Sequence, residues 1–340
     1  MRQKLLLTGG AGFIGHHVLA HLLRHTDYDI CCLDRLDFSG DLNRIKTILN
    51  AFDDETKKRV SIVHHDLKSE LNGYVADRVG DINVILHLAA GSHVTRSVEF
   101  PVEFINDNVI GTTNLLEYAR KLPNLDRMIY FSTDEVFGPA VDDVPFTEWD
   151  RFNPCNPYSA SKAAAEDICI AYENTYNLPI FITHTMNVYG ERQSPEKYIP
   201  MIIRKIYDDE KVTIHHDSKT GAIGSRCYLH TTDVADALCF LLKLERPELP
   251  AGSRGGRCPK FNISTNDELD NLQVAQLVAK AMGKELRYDL VDPNIDRPGH
   301  DFRYSISGDY LRSLGWAKKI NVDEGISDIV RSTVGSYENG

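Results

Sequence analysis

The sequence has few features of a membrane-bound or disulfide-stabilised protein. It contains no run of about 18 apolar residues, the length that typically spans a bilayer. Its N-terminal apolar run is too short for a secretory signal. Its seven cysteines include no Cys-x-x-Cys pair and no Cys/His spacing typical of a metal site, which favours reduced thiols and predicts no bound metal. We therefore expect a cytoplasmic protein with no membrane partner.

Positive charge is also scarce. The 38 Lys and Arg residues are outnumbered by 49 Asp and Glu residues, which gives a formal net charge of −11. The phosphates of a nucleic-acid backbone are also negative and repel such a chain, so the net charge argues against a nucleic-acid partner. A local basic site for a small anion is compatible with it.

The composition that is present belongs to a globular chain with strand–helix alternation. Its 340 residues are 42% hydrophobic and 26% charged, which suits one large domain or two intimate ones. The predicted strands are Lys4–Thr8, Asp29–Asp34, Ser61–His64, Val84–Leu88, Arg127–Ser132 and Pro179–Thr185. The predicted crossover helices are His16–His25, Val109–Leu122 and Ser159–Tyr176. This alternation predicts an α/β fold with a doubly wound parallel (Rossmann) sheet.

A glycine-rich turn, Thr-Gly-Gly-Ala-Gly-Phe-Ile-Gly at 8–15, joins the first strand to the first helix. Glycines at this spacing let backbone N–H groups and a helix N-terminus approach a pyrophosphate. Asp34, at the end of the second strand, is placed to bind ribose hydroxyls and repel a 2′-phosphate, which favours NAD over NADP, although the adjacent Arg35 slightly weakens this preference. The predicted NAD contacts are Gly9, Gly12, Phe13, Ile14, Gly15, Asp34, Asp66, Leu67, Tyr158 and Lys162.

Tyr158 and Lys162 lie four residues apart and so share one helical face. A neighbouring ammonium favours the phenolate, so we expect Lys162 to lower the pKa of Tyr158 and make it a usable base. Thr133, after the fifth strand, can hydrogen-bond the substrate hydroxyl from which Tyr158 would take a proton. Downstream of a dinucleotide turn, this pair predicts a dehydrogenase-type site.

The chain resembles the extended short-chain dehydrogenase/reductase superfamily over nearly its whole length. The segments that carry the resemblance are TGGAGFIG (8–15), HLAAGSHV (87–94), YFSTDEVFG (130–138), NPYSASK (156–162) and NVYG (187–190). They are most similar to nucleoside-diphosphate-hexose 4,6-dehydratases, above all those acting on dTDP-glucose. The resemblance implies a hydro-lyase that uses NAD to oxidise C4, eliminates water across C5–C6 and returns the hydride to C6. It also implies a homodimer formed by paired helices.

The consecutive acids Asp134 and Glu135 distinguish a dehydratase from an epimerase in this superfamily. The resemblance implies that Glu135 removes the C5 proton and that Asp134 protonates the departing C6 hydroxyl. Asp134 can act as an acid only if burial and its charged neighbour raise its pKa. With these two, the predicted catalytic residues are Thr133, Asp134, Glu135, Tyr158 and Lys162.

The resemblance also implies a nucleotide-sugar site in the last part of the chain. Its predicted contacts are Ser92, His93, Asn187, Lys197, Tyr198, Arg226, Asn262, Arg297 and His300. We expect an NAD-binding Rossmann domain with the catalytic residues at 1–190 and a smaller, interwoven substrate lobe at 191–340. Pro247–Lys260 is predicted as an exposed loop, and Leu269–Met282 as a helix that Gly283 terminates.

Three other functions are compatible with the same scaffold: a UDP-sugar 4,6-dehydratase, a UDP-sugar epimerase or decarboxylase, and a non-catalytic NAD-binding regulator. Thr95 and Cys227 depart from the residues usual in the family at the sugar and nucleotide edge. The complete set of catalytic residues argues against the regulator, because a binding module does not require it.

Overall fold

The protein is built on one large parallel sheet. A computed structural model describes residues 2–140, 144–218, 220–253, 258–265, 267–292 and 303–339. Seven strands form the sheet: β1 (Lys4–Thr8), β2 (Asp29–Asp34), β3 (Val60–His64), β4 (Val84–His87), β5 (Arg127–Thr133), β6 (Ile180–Thr185) and β10 (Lys260–Ile263). Their order across the sheet is β10-β6-β5-β4-β1-β2-β3. The predicted fold class is confirmed, and six of these strands match their predicted bounds to within one residue at either end.

Helices cover both faces of the sheet, and alternation along β1 shows how the two cores form. Leu5 and Leu7 pack in one core and Leu6 in the other, because successive strand side chains point to opposite faces. The covering helices are α1 (Phe13–His25), α2 (Leu42–Asn50), α3 (Asp54–Lys57), α4 (Gly73–Val79), α5 (Val94–Glu99), α6 (Pro101–Phe104), α7 (Gly111–Ala119), α8 (Pro157–Tyr176) and α10 (Thr231–Lys243). The predicted helix Val109–Leu122 is in fact α7 preceded by a π-helical turn, Ile105–Ile110.

A smaller lobe with its own apolar core follows β6. Its elements are β7 (Asn187–Tyr189), α9 (Tyr198–Tyr207), β8 (Val212–His215), β9 (Ser225–His230), β11 (Glu268–Asp270), α11 (Asn271–Met282), β12 (Tyr288–Val291) and α13 (Val322–Asn339). Helix α11 ends as predicted at Gly283, which has left-handed backbone angles. Three segments after residue 190 return to the large layer: α10 packs on α1, β10 pairs with β6, and α12 (Asp309–Ser313) packs on β10.

Strand β10 is the element that sequence patterns do not predict. Only Phe261-Asn262-Ile263 follows the turn-rich segment, which is too short a run to distinguish a strand from a loop. Its place at the sheet edge is stabilised by a buried charge cluster. His184 Nε2 lies 3.0 Å from Glu166 Oε2, and Lys260 Nζ lies 2.9 Å from Glu166 Oε1. These contacts join β6, β10 and α8.

We predict that Glu166→Gln destabilises the protein by about 3–5 kcal/mol at neutral pH, because it leaves buried positive charge uncompensated. Burial alone would raise the pKa of Glu166, but His184 and Lys260 outweigh it and lower that pKa to about 2 from 4.5. The stabilisation is therefore present above pH 4.5 and lost as the pH falls towards 2. Urea unfolding of wild type and variant at several pH values measures this difference.

The matched control is Asp167→Asn, which removes the same charge from the next, exposed position of α8. It should change stability by no more than about 0.5 kcal/mol. A Glu166→Gln deficit that stays the same from pH 7 to pH 3 would contradict the electrostatic account.

Candidate active site

A cavity of about 390 Å³ opens where the strands of the large sheet end. Its walls come from the glycine-rich turn, from the segments after β2, β3, β4 and β5, from α8 and from the first residues of the smaller lobe. Ligands of open parallel sheets bind at this carboxyl edge. The cavity therefore lies where the predicted nucleotide and catalytic residues converge.

The glycine-rich turn packs so closely that side chains are excluded. Gly9 has a φ of +72°, and a Cβ there would lie 2.8 Å from the backbone nitrogen of Ala89. A Cβ on Gly15 would lie 2.0 Å from the carbonyl oxygen of Gly9. Gly12 begins α1 without a side-chain cap, so the first N–H groups of α1 can bind an anion. The predicted contacts Gly9, Gly12, Phe13, Ile14 and Gly15 all line the cavity.

The adenosine end of the cavity is acidic. Asp34 is 7% exposed, and its carboxylate accepts backbone N–H bonds from Ala11 at 3.0 Å and Leu36 at 2.9 Å. Because a carboxylate offers about four lone pairs, the fixed group can still accept bonds from a ligand. Asp66 and Leu67 line the same region.

Thr133, Tyr158 and Lys162 line the opposite end of the cavity. Burial lowers the pKa of Lys162 to about 8. The Lys162 Nζ atom donates to the carbonyl oxygen of Phe131 at 2.7 Å. Burial, followed by the charge of Glu135, raises the pKa of Tyr158 above its usual value, and a hydrogen bond with Thr133 opposes the rise.

The expectation that Lys162 lowers the pKa of Tyr158 is therefore not what the structure shows. The ammonium group is directed at the Phe131 carbonyl and over the Tyr130 ring, 4.3 Å from its centroid. Desolvation dominates at the phenol. Tyr158 is protonated at neutral pH in this arrangement.

The acid pair begins a short 3₁₀ turn, Asp134–Phe137, directly after β5. Asp134 is 5% exposed, and burial together with the Glu135 charge raises its pKa to about 7. Thr133 Oγ1 donates to Asp134 Oδ1 at 3.1 Å, whereas Oδ2 has no hydrogen-bond partner among the described residues. Glu135 Oε2 accepts a bond from Asn156 Nδ2 at 3.1 Å. Asp134 thus has the raised pKa that the sequence argument required of an acid.

Neither acid is part of the wall of the main cavity; they lie beside it, next to Thr133. Four of the predicted substrate contacts are on that wall: Ser92, His93, Asn187 and Lys197. Arg226, on β9, stacks on Tyr304 with 4.7 Å between the guanidinium carbon and the ring centroid. Its charge opposes the rise in the pKa of Asp134, which places Arg226 near the acid pair.

Two predicted substrate contacts lie elsewhere. Asn262 is fully buried in β10, where its Oδ1 lies 2.9 Å from His184 Nδ1 and its Nδ2 donates to the Phe146 carbonyl. It is inside the protein because β10 extends the large sheet. The Tyr198 hydroxyl donates to the Asn271 carbonyl at 2.5 Å, as α9 packs on α11. Arg297 and His300 lie outside the described residues.

Several cavity residues were missed by sequence reasoning. They include Phe38, Arg96, Asp107, Thr185 and Gln193. Thr185 ends β6, so the rule that ligands bind at strand ends could have found it. Its buried hydroxyl has no hydrogen-bond partner in the described part of the chain. No comparable sequence pattern marks Asp107, because its place on the cavity wall depends on the π-helical turn.

The described residues include neither a candidate metal site nor a candidate membrane-spanning helix. They contain no cluster of three or more His, Cys, Asp or Glu side chains that could hold a metal ion. Over the same residues, none of the helices combines the length and apolar character required to cross a membrane.

The sheet, the glycine-rich turn and the Tyr158/Lys162 pair define a dinucleotide-dependent enzyme of the short-chain dehydrogenase/reductase class. A family model described as GDP-mannose 4,6 dehydratase matches residues 6–329. The chain belongs to that family. The resemblance noted in its motifs is thereby confirmed.

Curated relatives cover almost all of the chain. A dTDP-D-glucose 4,6-dehydratase of Homo sapiens is 34% identical in an alignment of 333 positions that covers 96% of this chain and 89% of the human protein. A dTDP-glucose 4,6-dehydratase of Escherichia coli is 31% identical in an alignment of 363 positions, gaps included, that covers 96% of this chain and 92% of that protein.

Solved structures share the fold across more than one reaction. A dTDP-glucose 4,6-dehydratase of Streptomyces venezuelae with NAD bound superposes with a TM-score of 0.83 at 30% identity, over 99% of this chain and 98% of that one. A UDP-glucose 4-epimerase of Thermus thermophilus in complex with NAD gives 0.83 at 27% identity, over 98% and 100%. Because both reactions occur on this fold, individual residues must decide between them.

Proposed function

We propose that this protein is an NAD-dependent nucleotide-sugar 4,6-dehydratase, a hydro-lyase that converts dTDP-glucose to dTDP-4-keto-6-deoxyglucose and water. The observation that carries the proposal is Asp134, a buried carboxyl group with a pKa of about 7 beside the carboxyl group of Glu135. Two neighbouring acids in different environments can serve as acid and base in one elimination. The curated relatives at 31–34% identity support the same reaction.

The residues of the cavity fit NAD. The uncapped start of α1 suits a pyrophosphate, and the fixed carboxylate of Asp34 suits ribose hydroxyls. Asp66 and Leu67 lie where the adenine would be bound, and Lys162 where the second ribose would be held. When bound, NAD would supply an acceptor for the hydride of sugar C4 and a donor of that hydride to C6.

The chain itself moves the protons. Tyr158, hydrogen-bonded to Thr133, takes the C4 hydroxyl proton in its phenolate form, after its own proton has passed to solvent. Its raised pKa keeps this form scarce at neutral pH. The C4 ketone acidifies the C5 proton, which Glu135 removes. The C6–O bond then breaks, and the departing hydroxide takes a proton from Asp134 to leave as water. A proton restored at C5 completes the product.

The substrate site is proposed on the cavity wall and near the acid pair. Lys197 and Arg226 can bind the diphosphate, Arg226 by the planar fork that suits phosphate oxygens. Ser92, His93 and Asn187 are placed to contact the sugar and nucleotide. We assign the catalytic site to the large layer and the nucleotide-sugar site chiefly to the lobe after residue 190.

The reaction can be tested by product analysis without added NAD. We expect the purified protein to convert dTDP-glucose to a 4-keto-6-deoxy sugar, because the hydride taken from C4 is returned within each turnover. Mass spectrometry and the absorbance of reduced NAD follow the reaction. UDP-glucose, GDP-mannose and CDP-glucose are the comparison substrates. Formation of a C4 epimer would contradict the proposed reaction. Faster conversion of UDP-glucose than of dTDP-glucose would contradict the proposed thymine nucleotide.

The acid pair makes a prediction that separates dehydration from other reactions of this fold. Asp134→Asn should slow water loss while leaving deuterium uptake at C5 measurable, whereas Glu135→Gln should slow C5 exchange itself. Each loss should be about 10²- to 10⁴-fold. Because Asp134 must be protonated and its pKa is about 7, wild-type water loss should slow as the pH rises above 7, and Asp134→Asn should lose this dependence.

The measurement is incubation in D₂O with parallel assays of C5 deuterium, reduced NAD and 4-keto product. Both variants should keep bound NAD, since neither carboxylate lines the nucleotide end of the cavity. Wild-type dehydration rates in both variants would show that Tyr158 is the only proton carrier, as in an epimerase.

We also propose a homodimer formed through the segment from α6 to α7 and α8. Val102, Ile105 and Ile110 are 69%, 42% and 43% exposed on this segment, and Tyr176 at the end of α8 is 48% exposed. Clustered exposed apolar side chains mark interaction surfaces. Light scattering at micromolar concentration should give twice the chain mass, and Ile110→Asp should shift it towards the monomer. Leu290→Asp, at an exposed apolar position on β12, is the control; an equal shift there would contradict this interface.

A cytoplasmic location without nucleic-acid or membrane partners remains part of the proposal. Six of the seven cysteines are buried, and their odd number suits a reducing compartment. The net charge of −11 opposes binding to polyanions.

A further inference from the structure

Arg35, directly after the ribose-binding acid, is held by two other carboxylates. Its two terminal nitrogens donate to Asp107 Oδ1 and Oδ2 at 2.6 and 2.8 Å, and its Nε donates to Asp37 Oδ2 at 2.7 Å. A paired fork of this kind is among the strongest charged hydrogen-bond geometries. All three residues line the adenosine end of the cavity.

Asp107 is itself fixed in place. It belongs to the π-helical turn Ile105–Ile110, and its side chain is 5% exposed. The next residue, Asn108, is 1% exposed and bonds to the Gly91 backbone and to Ser161 Oγ. The turn thus presents two consecutive side chains to the interior, and π-helical turns often occur at functional sites. Because the turn is held in this way, Asp107 fixes the position of the Arg35 guanidinium.

This geometry resolves two opposing signals in the sequence. Asp34 favours NAD, whereas an arginine beside it is the residue type that accommodates the 2′-phosphate of NADP. In the structure both of these edges of the guanidinium are occupied by carboxylates, so they are not available to a ribose phosphate. The acids Asp34, Asp37, Asp66 and Asp107 lie around this end of the cavity together with the cations Arg35, Arg44 and Lys68.

We propose that Asp107 is a cofactor-specificity residue, which excludes NADP by holding Arg35 and by adding negative charge beside the ribose. The proposal rests on the proposed use of a nicotinamide dinucleotide. It extends the selectivity beyond Asp34 to a residue distant in the sequence. Removing the charge of Asp107 should release Arg35 to bind a 2′-phosphate.

The experiment measures bound nucleotide rather than activity. Purified protein is equilibrated with mixtures of NAD and NADP, separated from free nucleotide and extracted for chromatography. Wild type should retain NAD. Asp107→Asn should raise the ratio of bound NADP to bound NAD by about ten-fold or more, the effect of one charged hydrogen bond. Asp37→Asn, at the more exposed partner of Arg35, should raise it by a smaller factor.

Further variants separate this role from a structural one. Asp107→Glu should restore the wild-type ratio, and Arg35→Ala combined with Asp107→Asn should lose the gain. Asp126→Asn removes the same charge from the far edge of the sheet, where Asp126 accepts a bond from Gln3, and should leave the ratio unchanged. An unchanged ratio in Asp107→Asn, or an equal gain in Asp126→Asn, would overturn the proposal. Binding of neither nucleotide by wild type would instead overturn the proposed function.

Discussion

Desolvation of ionisable groups at the ends of β5 and β6 is the constraint on which this site depends. The same burial that lowers the pKa of Lys162 to about 8 raises that of Asp134 to about 7, since burial always opposes the charged form. Glu166, one helical turn beyond Lys162, is equally buried but has a lowered pKa because His184 and Lys260 contact it. These contacts therefore distinguish the structural carboxylate from the one proposed as the catalytic acid.

The π-helical turn connects the parts of the site that the sheet alone would leave separate. Through Asp107 it holds the residue after β2, and through Asn108 it holds the segment after β4 and the catalytic helix α8. The proposed nucleotide selection and the proposed catalytic geometry thus share one element.

Fold similarity alone does not choose the reaction. The chain superposes equally well on a 4,6-dehydratase and on a 4-epimerase, both solved with NAD bound. The acids Asp134 and Glu135 add the capacity to remove one proton and supply another. A shared scaffold thus serves different reactions through a few side chains beside one cavity.

Local sequence was sufficient for the parallel sheet, the glycine-rich turn and the Tyr158/Lys162 pair, because periodicity, glycine spacing and helical spacing are short-range properties. It could not predict β10, the burial of Asn262, or the orientation of Lys162 towards Phe131. Nor could it predict the ion pair between Arg35 and Asp107, because the two residues are distant in the sequence. These features depend on contacts between remote segments and on desolvation, which only the packed tertiary structure determines.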